Sequence, residues 1–148
     1  MTDLEIFVPV GIIASGKSTA CREWAKENKA VIVEVDAFRT IFYGKYVFDP
    51  NTEGLLWNLV MTAASEWLDQ GVNVAVDDAV FFLKKKDRVR FQSTLAFNTR
   101  RPYRFTWHFM PDPTDEQVAE RRGKEGRGYS VEEWVEVAQR QRGELERD

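Results

Sequence analysis

The chain has 148 residues, 43% of them hydrophobic and 30% charged, with a formal net charge of −3. That balance describes one ordinary globular domain with a real core, and the mild acidity does not by itself point to a nucleic-acid binder. No apolar run approaches the roughly 20 residues of a membrane helix, and the single cysteine, Cys21, excludes an internal disulfide. A reducing, cytoplasmic setting with no membrane partner is the expectation, and "MTDLEIF" lacks the basic-then-apolar pattern of a secretory leader.

The elements alternate along the chain. "LEIFVPV" (4–10) is β-rich, and "GKSTACREWAKEN" (16–28) reads as a helix. "AVIVEV" (30–35) is a strand, followed by a short helix carrying "DAFR". Residues 53–71 hold apolar side chains at helical spacing and end on Gly71, a helix stop. "VNVAV" (72–76) is a third strand, "LKKKDRVRFQSTLAFNT" a helix, and "YRFTWHFM" (103–110) a fourth strand. "TDEQVAERR" opens with a Thr cap and acids in its first turn. "SVEEWVEVAQRQRGELE" opens with Ser130 and Glu133 in capping-box spacing.

Strand then helix, repeated four times, predicts an α/β three-layer sandwich: a four- or five-stranded parallel sheet with helices on both faces. The domain fills 1–148, with an Arg-rich lid at about 119–130. The runs at 30–35 and 72–76 are nearly continuous in hydrophobicity, as expected of strands buried on both faces.

"GIIASGKST" (11–19) carries the chemistry. Gly11, Gly16, Lys17 and Ser18 fit G-x-x-x-x-G-K-[ST] between a strand and a helix. Such a turn aims backbone N–H groups at an anion from a helix N-terminus. Ala14, Ser15, Gly16, Lys17, Ser18 and Thr19 are the expected phosphate-cradling residues, for ATP or another NTP. Lys17 is expected to reach the terminal phosphates and Ser18 Oγ to hold Mg²⁺. Ala14 stands where many kinases of this class place glycine. If it needs a positive φ, alanine costs on the order of 1 kcal/mol there.

Asp36 follows the second strand, at the sheet edge where open parallel sheets bind ligands. A carboxylate there can take a proton from an acceptor hydroxyl. Its other reading is a helix N-cap, which is compatible. Arg39, three residues on, can point the same way. Asp77 and Asp78 end the third strand, where the Mg²⁺-side acid of phosphate-loop enzymes sits. Adjacent residues on an extended segment face opposite ways, so only one is expected to face the metal. "AERRGKEGRGYS" supplies Arg121, Arg122 and Arg127, arginines suited to clamping phosphates as a lid closes. His108, the only histidine, reads as structural. Most aromatics read as core, but Tyr43, Tyr46 and Phe48 sit in a loop-like stretch, suited either to stacking on bases or to packing against the neighbouring helix. Basic residues concentrate from Lys84 to Arg104, which suits an anionic substrate at one face or, for Lys84–Lys86, a solvated helix.

Taken in order, "GIIASGKST", "DAFR", "VAVDDA" and the Arg-rich segment before the last helix resemble the 5′-kinase domain of phage polynucleotide kinase. The likeness extends to zeta-toxin-like P-loop kinases. It implies a phosphotransferase with an alcohol acceptor, the 5′-hydroxyl of DNA or RNA first of all. It also implies Asp36 as general base, Arg39 on the neighbouring acceptor phosphate, and Arg127 or Arg121 as lid arginine. Ala79-Val80 departs from the family's Thr-Asn. The same fold serves kinases of nucleosides, other small molecules and hydroxymethylated bases in DNA, so those acceptors stay open. So do a non-catalytic nucleotide-binding module and the oligomeric state, a homo-oligomer included.

Overall fold

A computed structural model describes residues 3–45, 49–78, 81–123 and 128–147. Four strands, β1 (Leu4–Val10), β2 (Val31–Glu34), β3 (Val74–Asp77) and β4 (Tyr103–Phe109), form one sheet in the order β2-β3-β1-β4. Every pairing is parallel, with Ile6 opposite Val74, Glu34 opposite Asp77, and Leu4 through Val10 opposite Tyr103 through Phe109. The helices are α1 (Lys17–Asn28), α2 (Val35–Tyr43), α3 (Glu53–Asp69), α4 (Lys85–Asn98), α5 (Asp115–Arg122) and α6 (Val131–Glu144). The α/β sandwich expected from the alternation is the one observed, with four strands.

The period-2 alternation of β1 divides the core. Ile6, Val8 and Val10 pack with Val74 and Val76 against Leu56, Val60, Ala64 and Leu68 of α3 and Phe91 and Leu95 of α4. Phe7 and Ala75 face the other way, onto Cys21 of α1. Beyond the sheet's C-terminal edge, Ile12 and Ile13 pack with Val118, Trp134 and Ala138, tying α5 and α6 to the turn after β1. The Gln141 side chain of α6 accepts from the Ile13 N–H at 2.7 Å.

The caps account for the boundaries. Thr114 and Ser130 each accept from the backbone N–H three residues on, and Gln117 and Glu133 return the bond. α3 stops as the sequence predicts. Gly71 N–H bonds to Leu68 O at 2.9 Å and Val72 N–H to Trp67 O at 3.0 Å, a Schellman closure. That closure takes Val72 out of the strand, so β3 starts at Val74 and runs on to include Asp77.

Three expectations are corrected. β3 is buried throughout, but β2 is an edge strand with only Val33 buried. A run of valine and isoleucine does not distinguish a central strand from an edge strand with one covered side. Trp67 and Phe97 are exposed, Phe97 at 90%, although Phe81, Phe82, Phe91 and Trp134 are buried as expected. The basic segment from Lys84 to Arg104 does not form one face. Lys84–Lys86 follow β3 at the C-terminal edge, whereas Arg100, Arg101 and Arg104 lie where β4 begins, at the opposite edge. Arg104 pairs there with Glu5. Arg88 is only 2% exposed. It donates to Phe82 O at 2.8 Å, Leu83 O at 3.0 Å and Glu146 O, with its guanidinium 5.0 Å from the Phe109 ring. Among the described residues, no helix is long and apolar enough to cross a membrane.

Arg88 thus satisfies the buried Phe82 carbonyl, shares the Leu83 carbonyl with the Glu146 N–H, and holds the Glu146 carbonyl. Replacement by methionine removes all three bonds and takes this donor from the buried Phe82 carbonyl, at about 1–3 kcal/mol for such a group. We expect Arg88→Met to lower the unfolding free energy by about 2–4 kcal/mol in urea titrations.

Candidate active site

The parallel sheet delivers three connections to one edge. β1 ends into the turn that leads to α1, β2 into α2, and β3 into the segment holding Asp77 and Asp78. A cleft of about 970 Å³ opens there. Its walls include Ala14, Ser15, Gly16, Lys17, Ser18 and Thr19 from the turn and the start of α1, Asp36 from α2, Asp77 at the end of β3 with Asp78 just after it, and Arg121 and Arg122 from α5.

The turn has the backbone of a phosphate cradle. Gly16 caps α1 at φ 94°, a left-handed conformation that glycine adopts without strain. A Cβ on Gly11 would sit 2.5 Å from Ser15 Oγ and 3.0 Å from Met110 Cβ, so that position requires glycine for close approach. Ala14 takes φ 61°, the strained conformation that the sequence flagged. α1 also differs from the other α-helices among the described residues. It has neither a side-chain cap nor an acid in its first turn, and each of the others has at least one acid there. Its first-turn N–H groups and positive dipole end are left for an anion from outside the chain.

Lys17 is 6% exposed and lies inside the loop. Its Nζ donates to Ile12 O at 2.6 Å and Ser15 Oγ at 3.4 Å. Burial pushes its pKa down to about 8, against the pull of Asp77, Asp78 and Asp36 and with the push of Arg122. An anion in the cradle would compete with the Ile12 carbonyl for this ammonium.

Ser18 Oγ donates to Asp77 Oδ2 at 2.7 Å. Asp78 turns to the local backbone, its Oδ2 accepting from Phe81 N–H at 2.9 Å. Both carboxylates line the cleft, but only Asp77 is bonded to the Ser18 hydroxyl, which distinguishes two residues that the sequence left equivalent. An alcohol and a carboxylate side by side at a phosphate cradle are the hard oxygen donors Mg²⁺ takes when phosphate and water complete its shell. Among the described residues, no group of three or more His, Cys, Asp or Glu could hold a metal by itself. The donor set fits a metal that is shared with a phosphate ligand.

Asp36 is the second residue of α2, just past the end of β2. Arg39 lies outside the cleft lining and is 1% exposed. Its Nη1 donates to Asp36 Oδ1 at 2.5 Å. Its Nε and Nη2 donate to both carboxylate oxygens of Glu53, at 2.7–3.1 Å. Arg39 points the same way as Asp36, as the i, i+3 spacing predicts, and the two form an ion pair. The wall position that would let Arg39 reach an acceptor's phosphate is not.

Arg121 donates to Ala14 O at 2.5 Å, and the Arg122 guanidinium lies 5.2 Å over the Trp134 ring. Both reach the cleft; Arg127 lies outside the described residues. His108 is exposed, lines the cleft and sits 5.4 Å from the Phe7 ring. Tyr43 is 40% exposed, while Tyr46 and Phe48 lie outside the described residues. The sequence reading missed Glu34 and Arg22 in the lining, and it missed Glu53, which looks like an ordinary helix-opening acid.

A parallel 2-3-1-4 sheet with a glycine-lysine-serine cradle after its first strand and an acid after its third defines the P-loop kinase fold. A family model described as an AAA domain, AAA_33, matches residues 6–146, and the chain belongs to that family. Among solved structures it resembles a chain of the Pnkp1/Rnl/Hen1 RNA repair complex, with a TM-score of 0.71 and 20% identity over 99% of this chain and 47% of that one. The chain thus spans about half of that relative's length. It also resembles a gluconokinase from Sinorhizobium meliloti 1021, with a TM-score of 0.61 and 20% identity over 99% and 78% of the two chains. The Mycobacterium tuberculosis APS kinase CysC gives a TM-score of 0.65 and 18% identity over 85% and 72%. At these identities the likeness is one of fold. A search of curated proteins gives no match.

Two outcomes follow from the loop. Ala14→Gly is expected to raise the unfolding free energy by up to about 1 kcal/mol, measured by urea titration, because it relieves a positive φ. The second concerns Lys17, whose pKa falls from an ordinary 10.5 to about 8 on folding. Between those two pH values the unfolded chain holds more protons than the folded one, so this residue makes stability rise with pH across the window. The wild type should therefore gain on Lys17→Met from pH 8 to 10.5, by up to about 3 kcal/mol, in paired melts.

Proposed function

We propose that the protein is an ATP-dependent kinase that transfers the γ-phosphate to an alcohol. The observation that carries this is the presence of Asp36 in the same cleft as the phosphate loop and Lys17. A nucleotide-binding module without transfer activity would have no use for a carboxylate placed there.

The cradle N–H groups and Lys17 hold the triphosphate, while Ser18 and Asp77 hold Mg²⁺, which when bound neutralises phosphate charge. The Asp36 carboxylate accepts the acceptor's O–H proton as the acceptor oxygen bonds to the γ-phosphorus. The bond from that phosphorus to the β,γ-bridging oxygen breaks, and ADP leaves. Arg121 and Arg122 place cationic charge beside the cradle, and Arg127 is assigned with them as a lid arginine. Holding the two reactants in line and offsetting their charge supply most of the rate.

For the acceptor, the order of motifs and the likeness to a chain of the RNA repair complex support the 5′-hydroxyl end of DNA or RNA. One observation favours a second reading, a small uncharged polyhydroxyl acceptor. The side chains that β2, α2 and β3 contribute to the cleft are acids: Glu34, Asp36, Asp77 and Asp78. Carboxylates accept from neutral hydroxyls and repel a backbone phosphate, and Arg39 is held behind the wall by Glu53 and Asp36.

The test offers ATP labelled at the γ-phosphate together with a 5′-hydroxyl oligonucleotide, nucleosides, hydroxymethylated DNA or an uncharged sugar. Transfer to the oligonucleotide that weakens steeply with salt supports the first acceptor. Salt-insensitive transfer to a nucleoside or an uncharged sugar supports the second. Asp36→Asn should keep ATP binding and lose transfer by about 100-fold or more. Near-normal turnover in that variant would remove Asp36 as the base.

A further inference from the structure

Glu53 has no place in the mechanism above, yet its ion pair is the most extensively hydrogen-bonded among the described residues. It is the first residue of α3, and its two oxygens take a fork of three hydrogen bonds from Arg39 Nε and Nη2. Its side chain is 18% exposed and that of Arg39 is 2% exposed. The guanidinium sits 5.9 Å over the Phe81 ring, and the carboxylates of Glu53, Asp78 and Asp36 hold it as a cation. The remaining arm, Nη1, reaches Asp36 Oδ1 at 2.5 Å.

An Asp–Arg pair at i, i+3 on an otherwise ordinary helix is weak and changes rotamer readily. Here the arginine cannot swing, because a bidentate partner on another helix fixes its plane and an aromatic ring closes one face. The Asp36 side chain is 35% exposed and is the only member of the three that lines the cleft. We propose that Glu53 is a positioning residue. Acting through Arg39, it holds the Asp36 carboxylate in the orientation that receives the acceptor's proton. The inference rests on the kinase reading above and gives Arg39 a role behind the wall, apart from any contact with substrate.

The experiment compares Glu53→Gln and Glu53→Ala with wild type, and with each change in an Asp36→Ala background. Single-turnover transfer is followed with γ-labelled ATP and whichever acceptor the wild type uses. Glu53→Gln keeps one acceptor and the volume but loses the charge, and should lower kcat about tenfold. Glu53→Ala should lower it about 100-fold, with the KM for ATP within about twofold of wild type in both. In the Asp36→Ala background neither change should lower the residual rate further, because the group being positioned is gone. An unchanged kcat in Glu53→Gln overturns the proposal. So does a loss of equal size with and without Asp36, which is what a structural tie between α2 and α3 would give. If Glu53→Ala fails to fold, the two Glu53→Gln measurements decide the matter alone. A wild type that phosphorylates none of the acceptors removes the kinase reading and this inference together. An active wild type whose Glu53 variants keep full rate removes this inference alone.

Discussion

The hydrogen bond from Ser18 Oγ to Asp77 Oδ2 joins the two halves of the site, and the rest of the cleft depends on the strand register behind it. Ser18 lies in the first turn of α1, after β1, and Asp77 ends β3. They meet because β1 and β3 are neighbours in parallel, with Ile6 beside Val74 and Phe7 beside Ala75. A slip of one residue would send Asp77 to the other face and exchange the sets of β3 side chains that meet α1 and α3. The two buried faces, Val74 and Val76 on one side and Ala75 on the other, therefore hold the site's register as well as the core.

Around that bond the chain accepts local costs that a structural domain would avoid. Lys17 is buried deeply enough for its pKa to fall. Ala14 takes a left-handed conformation. α1 begins with neither a capping side chain nor an acid. Each departs from what stability alone would select, and all three fall in one short stretch of the phosphate loop. The surrounding structure compensates. Ile12 and Ile13 are anchored in a cluster with α5 and α6, and Gln141 takes the Ile13 N–H. The loop is thus held from outside in a conformation that it would not keep alone, as sites prepared for an anion commonly are.

Much of this was legible in the sequence, and what was hidden has physical reasons. The phosphate loop could be read because its glycines, lysine and serine each serve a backbone or charge requirement at fixed spacing. The sheet could be read because strands and helices alternate with clear caps at Thr114 and Ser130. Strand order was not encoded locally, so the edge position of β2 and the splitting of the basic segment between two sheet edges appeared only in three dimensions. Asp77 and Asp78 could not be separated because period-2 alternation says that they diverge and does not say which way. Glu53 was invisible for a related reason. Its partner is 14 residues away, on another helix, and an acid in a helix's first turn already has a sufficient local explanation.

The distribution of charge then bears on what the cleft can accept. Its cations come from α1 and α5, as Lys17, Arg22, Arg121 and Arg122. β2, α2 and the end of β3 contribute acids, and α1 adds one more, Glu23. A triphosphate satisfies the first group and leaves the second facing whatever enters next to it. If Arg39 were turned toward the cleft, that second wall would carry a cation for an acceptor phosphate. Held by Glu53, it presents the Asp36 carboxylate instead. The same guanidinium cannot serve both purposes at once, since its hydrogen-bonding edges are limited and each carboxylate takes one. Fixed in that place, Arg39 leaves β2, α2 and the end of β3 offering carboxylates to the cleft, groups that accept from hydroxyls and carry no cation for a phosphate.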